Sequence, residues 1–503
     1  MEEWGRDAGR REAEGGEGGE GGEGREEEGG GGGGGVGGWR GMLAVSGGGL
    51  KGPGCRARVS RARVGRGRCA VRGQAGSRDG QLVVTLEKRI DAVAASEWDA
   101  CAAHACGRQG GMNPFVSHDF LSVLEESGSV CRERGWLPQH VVVREATEDA
   151  AAPGGGGDAG GANQGRVVAV CPLYLKGHSQ GEYVFDHGWA QAFERHGVAY
   201  YPKLQSCVPF TPATGPRIMV RDLGDARREA EVGVAVARTL ADVGKQMGVS
   251  SVHVTFPTEA DVEALEATGR FRRRLGVQYH WENPLVSDGE NGRERRYASF
   301  ADFEAHLKQK KRASVRKERK KALRNGELEI VRLTGSALAE EHWDAFWGFY
   351  MDTTDRKWGQ AYLTREFFSL LGERMADQVL LVMARRVEDG RWVAGALNLI
   401  GGDTLFGRNW GCDGFHEGLH FEVCYYQAIE AALEMGLHRV EAGAQGEHKI
   451  SRGYLPTLTY SAHAICVDAF DAPVADFLSR EGEEVQDAVA YLMQSSPFKP
   501  DEG

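Results

Sequence analysis

A glycine-punctuated stretch near the C-terminus gathers the side chains that proton-transfer chemistry needs. It reads EAGAQGEHKISR over residues 441–452. Glu447 and His448 are candidate general bases, because a carboxylate and an imidazole can each take a proton from a nucleophile. Gly446 permits close approach of the backbone to a ligand. The other candidates of this stretch are expected to bind substrate: Glu441, Gln445 as a donor to a carbonyl oxygen, and Lys449 and Arg452 as partners of an anion.

The preceding segment LHFEVCYYQAIE is typical of a helix and adds candidates to the same site. Glu422 and Tyr426 lie four residues apart and therefore share one helical face. We expect Glu422 to act in catalysis and Tyr425 and Tyr426 to bind substrate, although the core is an equally good place for both tyrosines. His420 falls in the first helical turn, and Trp410 at the end of the preceding strand could wall the cleft.

Residues 416–420 read HEGLH, which matches the H-E-x-x-H signature of zinc peptidases. That signature needs both histidines on one helical face. Here Gly418 interrupts the motif and Asp413-Gly414 favours a turn, so we expect the helix to begin near Leu419. A zinc peptidase is therefore the weakest of the functions considered, and no metal site is predicted.

The N-terminal half offers a second set of polar and aromatic residues, in PLYLKGHSQGEYVFD and YYPKLQSCVPF. Tyr201 and Lys203 are candidate substrate-binding residues there. They could line an acceptor groove at a domain interface, where ligand sites often lie. A packing seam rich in tyrosine and proline is the alternative.

Residues 306–326 form a strongly basic segment, with ten Lys and Arg residues against Glu318 alone among acidic residues. Its few apolar residues are spaced too widely to make a continuous helical stripe, so most of the helix should face water. One interpretation is a solvated connecting helix. The other is a phosphate-binding surface, with tRNA as the possible partner.

The order of predicted elements places the candidate residues in an α/β fold. From residue 327 onward the pattern predicts two helices, three strands, a helix and a further strand that ends at Glu441. The first half repeats this order less clearly. Its long helix after Asp225 should end at Gly248, and Ser117 and Thr258 are expected helix caps.

Several motifs together resemble a bacterial family of predicted N-acyltransferases that is named for peptidoglycan biosynthesis or recognition. This family is related to the Fem-type aminoacyl transferases, which build cell-wall cross-bridges. The resemblance covers roughly residues 85–470, and GAQGEHKISRGY is its most specific string. The motifs that carry it are NPFVSHDF (113–120), GWLPQHVVV (135–143), PLYLKGHSQGEYVFDHGWAQAFERHG (172–197), YYPKLQSCVPFTPATGPR (200–217), GRNWGC (407–412), LHFEVCYYQAIE (419–430) and EAGAQGEHKISRGYLPTLTYSAH (441–463).

The resemblance implies two tandem GNAT-like domains, the fold of the acyl-CoA N-acyltransferases. Each would hold a mixed, mostly antiparallel sheet flanked by helices, and the sheet would splay where its fourth strand ends to admit the acyl donor. The implied donor is an acyl-CoA or an aminoacyl-tRNA, bound as a substrate rather than a permanent cofactor. The implied acceptor is an amine of a small molecule or a peptide. Asp413 and Glu417 would repel the pyrophosphate of a CoA donor.

The first 80 residues differ in composition from the rest. Residues 1–41 carry 11 acidic and 5 basic residues among many glycines, which predicts disorder. Residues 42–80 begin with a second methionine and carry nine basic residues and a single acid. This composition is typical of an organellar transit peptide, so we expect a chloroplast or, alternatively, a mitochondrial location.

The sequence predicts the following segments: 1–41, disordered; 42–80, transit peptide; 81–285, N-terminal GNAT-like domain with a glycine-rich insertion at 147–165; 286–326, linker and basic helix; 327–475, C-terminal GNAT-like domain; and 476–503, C-terminal tail. No run of 18 apolar residues occurs, so no membrane span is expected. The net charge of −11 argues against a general nucleic-acid coat protein.

Two main functions follow from these observations. The leading hypothesis is an N-acyltransferase with a GNAT- or Fem-like mechanism. The alternative is a non-catalytic recognition module that keeps the fold and binds a glycan, a peptide or RNA.

Overall fold

The computed structural model describes residues 71–72, 82–107, 111–145, 165–287, 294–357, 361–443 and 445–499. The predicted disordered segment and almost all of the transit peptide and the glycine-rich insertion lie outside these residues. All of the described residues belong to one compact unit, Arg68–Gly503.

The strands fall into two groups that correspond to the two halves of the chain. Those of the N-terminal half are β1 (Val71–Arg72), β2 (Leu82–Glu87), β3 (Trp136–Pro138), β4 (His140–Glu145), β5 (Val167–Cys171), β6 (Tyr174–Lys176), β7 (Lys203–Ser206), β8 (Met219–Val220), β9 (Ser251–Thr255) and β10 (Arg272–Glu282). A short hairpin, β11 (Val286–Ser287) and β12 (Glu294–Arg295), leads to the second half. The strands there are β13 (Leu328–Leu333), β14 (Val379–Arg386), β15 (Trp392–Ile400), β16 (Thr404–Cys412), β17 (Arg439–Glu441) and β18 (Leu455–Ile465).

The helices lie between these strands and cover both faces of the sheets. They are α1 (Ala95–Gly107), α2 (His118–Glu126), α3 (His187–Arg195), α4 (Ala226–Met247), α5 (Glu259–Glu266), α6 (Phe300–His306), α7 (Gln309–Ala322), α8 (Glu340–Lys357), α9 (Arg365–Met375), α10 (Leu419–Phe421), α11 (Gln427–Glu434) and α12 (Asp468–Met493). A π-helical turn, Glu422–Tyr426, joins α10 to α11. In the described part of the chain, none of these helices is long and apolar enough to cross a lipid bilayer.

Local capping interactions set the ends of several helices where the sequence predicts them. Asp225 accepts hydrogen bonds from the backbone of the first turn of α4, and Gly248 ends that helix with φ +65°. Ser117 caps α2, and Thr258 forms a capping box with Asp261 at α5. Because these caps satisfy otherwise unpaired backbone N–H groups, the helix boundaries are encoded locally.

The elements of the second half follow the order that the family resemblance implies. β13 is followed by α8 and α9, then by the antiparallel strands β14, β15 and β16, and then by α10–α11 and β17. β16 and β17 are parallel. In the first half, β7 and β9 form the equivalent parallel pair, with α4 between them. The chain therefore contains two tandem GNAT-like domains with mixed, mostly antiparallel sheets.

The two halves exchange their last strands, which the sequence did not predict. The large sheet has the order β13-β14-β15-β16-β17-β10-β18-β9-β7-β6-β3. β10 of the first half lies between β17 and β18, and β18 of the second half lies between β10 and β9. The predicted domains 81–285 and 327–475 therefore share one continuous sheet. A second sheet of the first half has the order β1-β2-β4-β5-β8.

Two other predicted boundaries differ from the structure. α12 runs from Asp468 to Met493 and crosses the predicted start of a C-terminal tail at residue 476. Its buried residues, Val474 and Leu478, pack beside Trp189 and Phe193 of α3. Val71–Arg72, inside the predicted transit peptide, pairs with β2. Both segments are thus part of the folded chain.

The exchanged strand β10 makes a stability test possible. Trp281 of β10 is fully buried among residues of the second half, opposite Val440 of β17. We expect Trp281→Ala to lower the free energy of unfolding of the whole chain by roughly 3 to 5 kcal/mol, because it leaves a large cavity. Urea unfolding followed by circular dichroism measures this change.

The control for this substitution is Tyr491→Ala, since that side chain is 71% exposed. It should leave the unfolding midpoint nearly unchanged. Separate transitions for two halves, with only one shifted by Trp281→Ala, would contradict the shared sheet as the unit of stability.

Candidate functional site

The sheet splits between β16 and β17. These strands pair over only three positions, from Thr404 with Arg439 to Phe406 with Glu441. β17 then ends, whereas β16 continues to Cys412. Residues 407–412 of β16 therefore have no strand partner on the β17 side among the described residues. We call this place the sheet split, and it is the splayed edge that the family resemblance implies.

A β-bulge in β16 lies directly beyond the sheet split. Ala396 of β15 pairs with Trp410, and Asn398 pairs with Gly407, so Arg408 and Asn409 together face a single residue of β15. A bulge changes the face to which the following side chains point. Arg408 accordingly contacts the ring of Phe115, whereas Trp410 lies on the opposite face of the sheet.

On the helical side of the sheet split, five ring side chains form one group. We call it the aromatic–histidine cluster: Trp410, His420, Phe421, Tyr425 and His448. The His420 ring centroid lies 5.2 Å from that of Trp410 and 5.3 Å from that of Tyr425. Four of these residues are sequence-predicted site residues, and the structure brings them together.

His448 is placed to exchange a proton within this cluster. Its Nε2 lies 3.3 Å from the Tyr425 hydroxyl, at hydrogen-bonding distance. Desolvation of the ring, together with the charges of Arg452 and Lys449, lowers the pKa of His448 to about 4. The imidazole is therefore neutral at pH 7 and is a weaker base than an ordinary histidine.

Gly446 fixes the position of His448. Its φ is +102°, and a Cβ added there would lie 2.3 Å from the His448 ring. Gly446 is thus required by both conformation and space. Its neighbours Gln445 and Glu447 are exposed to solvent, and Glu447 contributes, after burial, to raising the pKa of Tyr279 to about 12.

Lys449 and Arg452 were predicted to bind an anion, but they hold the turn instead. Lys449 is buried, and its Nζ donates to the carbonyls of Ala442 (2.7 Å) and Gly443 (3.1 Å). Burial lowers the pKa of Lys449 to about 7. Arg452 donates to the His448 carbonyl at 2.7 Å and pairs with Glu318 at 3.0 Å. Both side chains shape the segment that carries His448.

Glu422 and Tyr426 do share one face, but this face meets α7 rather than the cleft. The Glu422 side chain is fully buried, and both of its oxygens accept hydrogen bonds from Arg319. Gln427 donates to Glu422 at 2.8 Å, and the Tyr426 hydroxyl donates to Glu318 at 2.7 Å. The predictions of a catalytic Glu422 and a substrate-binding Tyr426 are therefore corrected: these residues anchor the basic helix.

Glu441 lies at the sheet split itself, on the face opposite to the aromatic–histidine cluster. It is buried, and one carboxylate oxygen accepts a hydrogen bond from the Thr214 backbone at 3.3 Å. Burial raises the pKa of Glu441 to about 7, although Arg439 opposes the shift. A carboxyl group with this pKa can take up and release a proton near neutral pH.

The two histidines of the HEGLH stretch do not share a helical face, as a zinc-peptidase motif requires. Gly418 adopts φ +73° immediately before α10, so the two histidines are on different structural elements. His416 bonds Asp413 at 2.7 Å, Glu417 pairs with Lys321, and His420 lies in the aromatic–histidine cluster. In the described part of the chain, the side chains close enough to share a cation are His104, Asp222 and Glu229, none of which belongs to this stretch.

The two residues of the first half that were predicted to line an acceptor groove, Tyr201 and Lys203, also make contacts within the protein. Lys203 is fully buried and pairs with Glu182 at 2.6 Å and with Asp186. These two carboxylates outweigh burial and raise the pKa of Lys203. The Tyr201 hydroxyl bonds Ser179 at 2.8 Å. This ion-pair network stabilises the fold, so the prediction that Lys203 contacts substrate is corrected.

A family model described as FemAB-like, peptidoglycan biosynthesis/recognition, matches residues 89–500. The sequence matches none of the curated proteins. Because this match spans far more than half of the chain, it is sufficient to assign the chain to a family.

Several solved structures are similar to the chain at low identity. FemX is 10% identical, with coverage of 76% of this chain and 98% of that chain and a TM-score of 0.43. L-PGS from Bacillus licheniformis is 10% identical, with coverage of 63% and 86% and a TM-score of 0.39. A tandem GNAT protein from the clavulanic acid biosynthesis pathway is 11% identical, with coverage of 77% and 99% and a TM-score of 0.38.

The raised pKa of Glu441 predicts a specific pH dependence of stability. The folded chain keeps this proton up to about pH 7, whereas the unfolded chain loses it near the ordinary value of 4.5. Stability therefore falls as the pH rises from 4.5 to 7. We expect Glu441→Gln to make this loss of unfolding free energy smaller by about 1 to 3 kcal/mol.

Urea titrations at both pH values measure the effect. Glu329→Gln, a substitution on the exposed face of β13, serves as the control and should keep the wild-type pH dependence. If Glu441→Gln kept it as well, the carboxyl group would not be buried as described.

Proposed function

The chain belongs to the FemAB-like family, and from this we propose that it is an N-acyltransferase that transfers an acyl or aminoacyl group to an amine. The acceptor is an amine of a small molecule or a peptide. The observation that carries the proposal is the sheet split, with a proton-exchanging carboxyl group, Glu441, at the position where β17 ends. A carboxyl group of perturbed pKa at a sheet split is more typical of a catalytic site than of a recognition module.

The reaction requires that an ammonium ion lose a proton before its nitrogen can attack a carbonyl carbon. In the proposed mechanism the Glu441 carboxylate accepts this proton. The neutral amine then attacks the acyl carbon of the donor ester or thioester, and the bond to the donor oxygen or sulfur breaks. As the amide forms, its nitrogen loses a second proton, which passes to the departing oxygen or sulfur, and Glu441 returns the first proton to solvent. The products are therefore an amide, a free hydroxyl or thiol, and one released proton.

Glu441 replaces Glu447 and His448 as the leading candidate base. The pKa of about 7 matches the task better than the pKa of about 4 of His448, because a base works best near the ambient pH. His448 and Tyr425 retain a different role on the other face of the sheet. There the aromatic–histidine cluster lies where a donor entering the sheet split would meet Trp410 and His420.

The basic helix α7 supports an aminoacyl-tRNA as the donor. One face of α7 is fixed to the site, because Arg319 pairs with Glu422 and Glu430 at 2.8 Å each. The opposite face exposes Lys310, Lys317 and Lys320. A row of cations on a helix that borders the site can contact the phosphates of a nucleic acid. The acids that would repel a phosphate, Asp413 and Glu417, are each paired with cationic or protonatable partners.

An acyl-transfer assay tests the assignment of the base. Incubation with labelled acyl-CoAs and aminoacyl-tRNAs and a panel of amines should show transfer whose rate rises with pH and is half-maximal near pH 7. We expect Glu441→Gln to lower this rate by about 10²- to 10⁴-fold. His448→Ala should lower the rate less and keep the pH profile.

The reverse pattern, with transfer abolished by His448→Ala and not by Glu441→Gln, would return the role of base to His448. A complete lack of transfer from every donor class would favour the recognition module.

The proposed tRNA contact predicts a change in salt dependence. Replacement of Lys310, Lys317 and Lys320 by Ala removes up to three phosphate contacts. The slope of log K against log [salt] for tRNA binding should therefore become shallower by about 2 to 3. Filter binding at several salt concentrations measures the slope. The matched triple variant at Arg195, Arg227 and Arg480, which are exposed on other helices, should bind as the wild type does. Equal slopes for both variants would contradict the role of α7.

A further inference from the structure

Arg408 is a half-buried cation with no carboxylate partner among the residues that the structure describes. Its guanidinium donates to the Phe210 carbonyl and bonds the Tyr183 side chain, and it lies 5.7 Å from the centre of the Phe115 ring. None of the Asp and Glu side chains in the described ranges forms an ion pair with it. Burial lowers the pKa of Arg408, although Tyr183 and Tyr350 partly oppose the shift. Since an arginine keeps its charge, this arrangement is costly without an anion.

The backbone around Arg408 is held in an unusual conformation. Tyr183 and Phe210, its two hydrogen-bonding partners, both have φ +58°. Bulky residues rarely adopt this left-handed region, and such strain collects at ligand sites. Only four non-glycine residues of the described ranges have positive φ, so it is informative that two of them meet at one guanidinium.

Arg408 lies on the face that carries Phe406, two residues earlier in β16, and the β-bulge keeps Asn409 on this face as well. Phe406 is the residue paired with Glu441, and both Phe406 and Arg408 approach the ring of Phe115. Arg408 is thus two residues beyond the sheet split, about 7 Å along the strand from the position of the proposed base.

A small cavity of about 10 Å³ opens beside Arg408 and Asn409. Its other walls are largely apolar and include Phe115 and Leu397. This volume holds about one water-sized group, which is the size of a single anionic oxygen. The remainder of a ligand would therefore lie outside the cavity, along the sheet split towards Glu441.

We propose that Arg408 binds the anionic group of the acceptor, so that the preferred acceptors are amines that also carry a carboxylate or a phosphate. This inference rests on the proposed acyl transfer, in which Glu441 takes the proton of the same amine. The guanidinium offers two parallel N–H donors to the two oxygens of such a group. Amine and anion would then lie about 7 Å apart along the strand direction, which selects the acceptor by charge and by length.

Equilibrium binding to the full chain, without any acyl donor, tests the proposal. The probes form two matched pairs: 6-aminohexanoate with pentylamine, and O-phosphoethanolamine with ethanolamine. Isothermal titration calorimetry at constant ionic strength gives each Kd. In at least one pair the amine that carries the carboxylate or phosphate should bind about tenfold more tightly than the amine that lacks it. The pair that shows the preference identifies the anion as a carboxylate or a phosphate.

Variants connect this preference to the residue. Arg408→Met should abolish the preference, and Arg408→Lys should keep part of it, because a lysine retains the charge but not the paired donors. Arg480→Met, on the exposed face of α12, should bind all four probes as the wild type does. Circular dichroism confirms that each variant is folded.

Equal binding of both members of both pairs by the wild type would overturn the proposal, even if Arg408→Met failed to fold. A folded Arg408→Met that kept the preference would overturn it as well. Failure of acyl transfer would instead overturn only the proposed reaction, because the binding experiment contains no donor.

Discussion

The exchange of β10 and β18 between the two halves is the constraint on which the site depends. β17 has only three residues and takes its place in the sheet from β10, which pairs with it on one side. Because β10 is held on its other side by β18 over nine positions, β17 has little freedom to follow β16. The separation of β16 and β17 after Phe406 is therefore a property of the joined halves rather than of the second half alone.

The two faces of the sheet split have different chemistry. On one face the aromatic–histidine cluster provides flat rings and a neutral imidazole, which suit the uncharged part of a donor. On the other face lie the protonatable carboxyl group of Glu441 and the guanidinium of Arg408, which has no carboxylate partner in the described ranges; in the proposed reaction these two groups would meet the amine and the anion of the acceptor. The β-bulge at Arg408 and Asn409 places Trp410 on the face opposite to Arg408, although the two residues are only two positions apart in β16. In the proposed reaction, donor and acceptor would therefore approach the same gap from different directions.

Local sequence signals identified the elements and part of the site, and distant partners decided the rest. The cluster around His448 was predictable because its members come from short motifs that adjoin the same strand end, and Gly446 marks the required conformation. The partners of Glu422, Arg452 and Lys203 lie 103, 134 and 21 residues away in the chain, so the sequence around each residue did not indicate its burial.

Arg408 was missed because a single arginine inside the strand TLFGRNWGC resembles an ordinary edge residue. Its place in the motif GRNWGC (407–412), between Gly407 and Gly411, was the available signal. The strand exchange depends on pairing between strands of different halves. The hydrophobic periodicity of a single segment does not indicate its strand partner.

The shared sheet also affects how the chain is made. When β10 leaves the ribosome, its neighbour β18 has yet to be synthesised, some 170 residues later. At about 5 to 20 residues per second, translation of that interval takes on the order of 10 to 40 s. During this time β9 and β10 present open strand edges, which are sites of unwanted pairing with other chains. The nascent first half is accordingly a natural client for a chaperone that shields strand edges until the second half arrives.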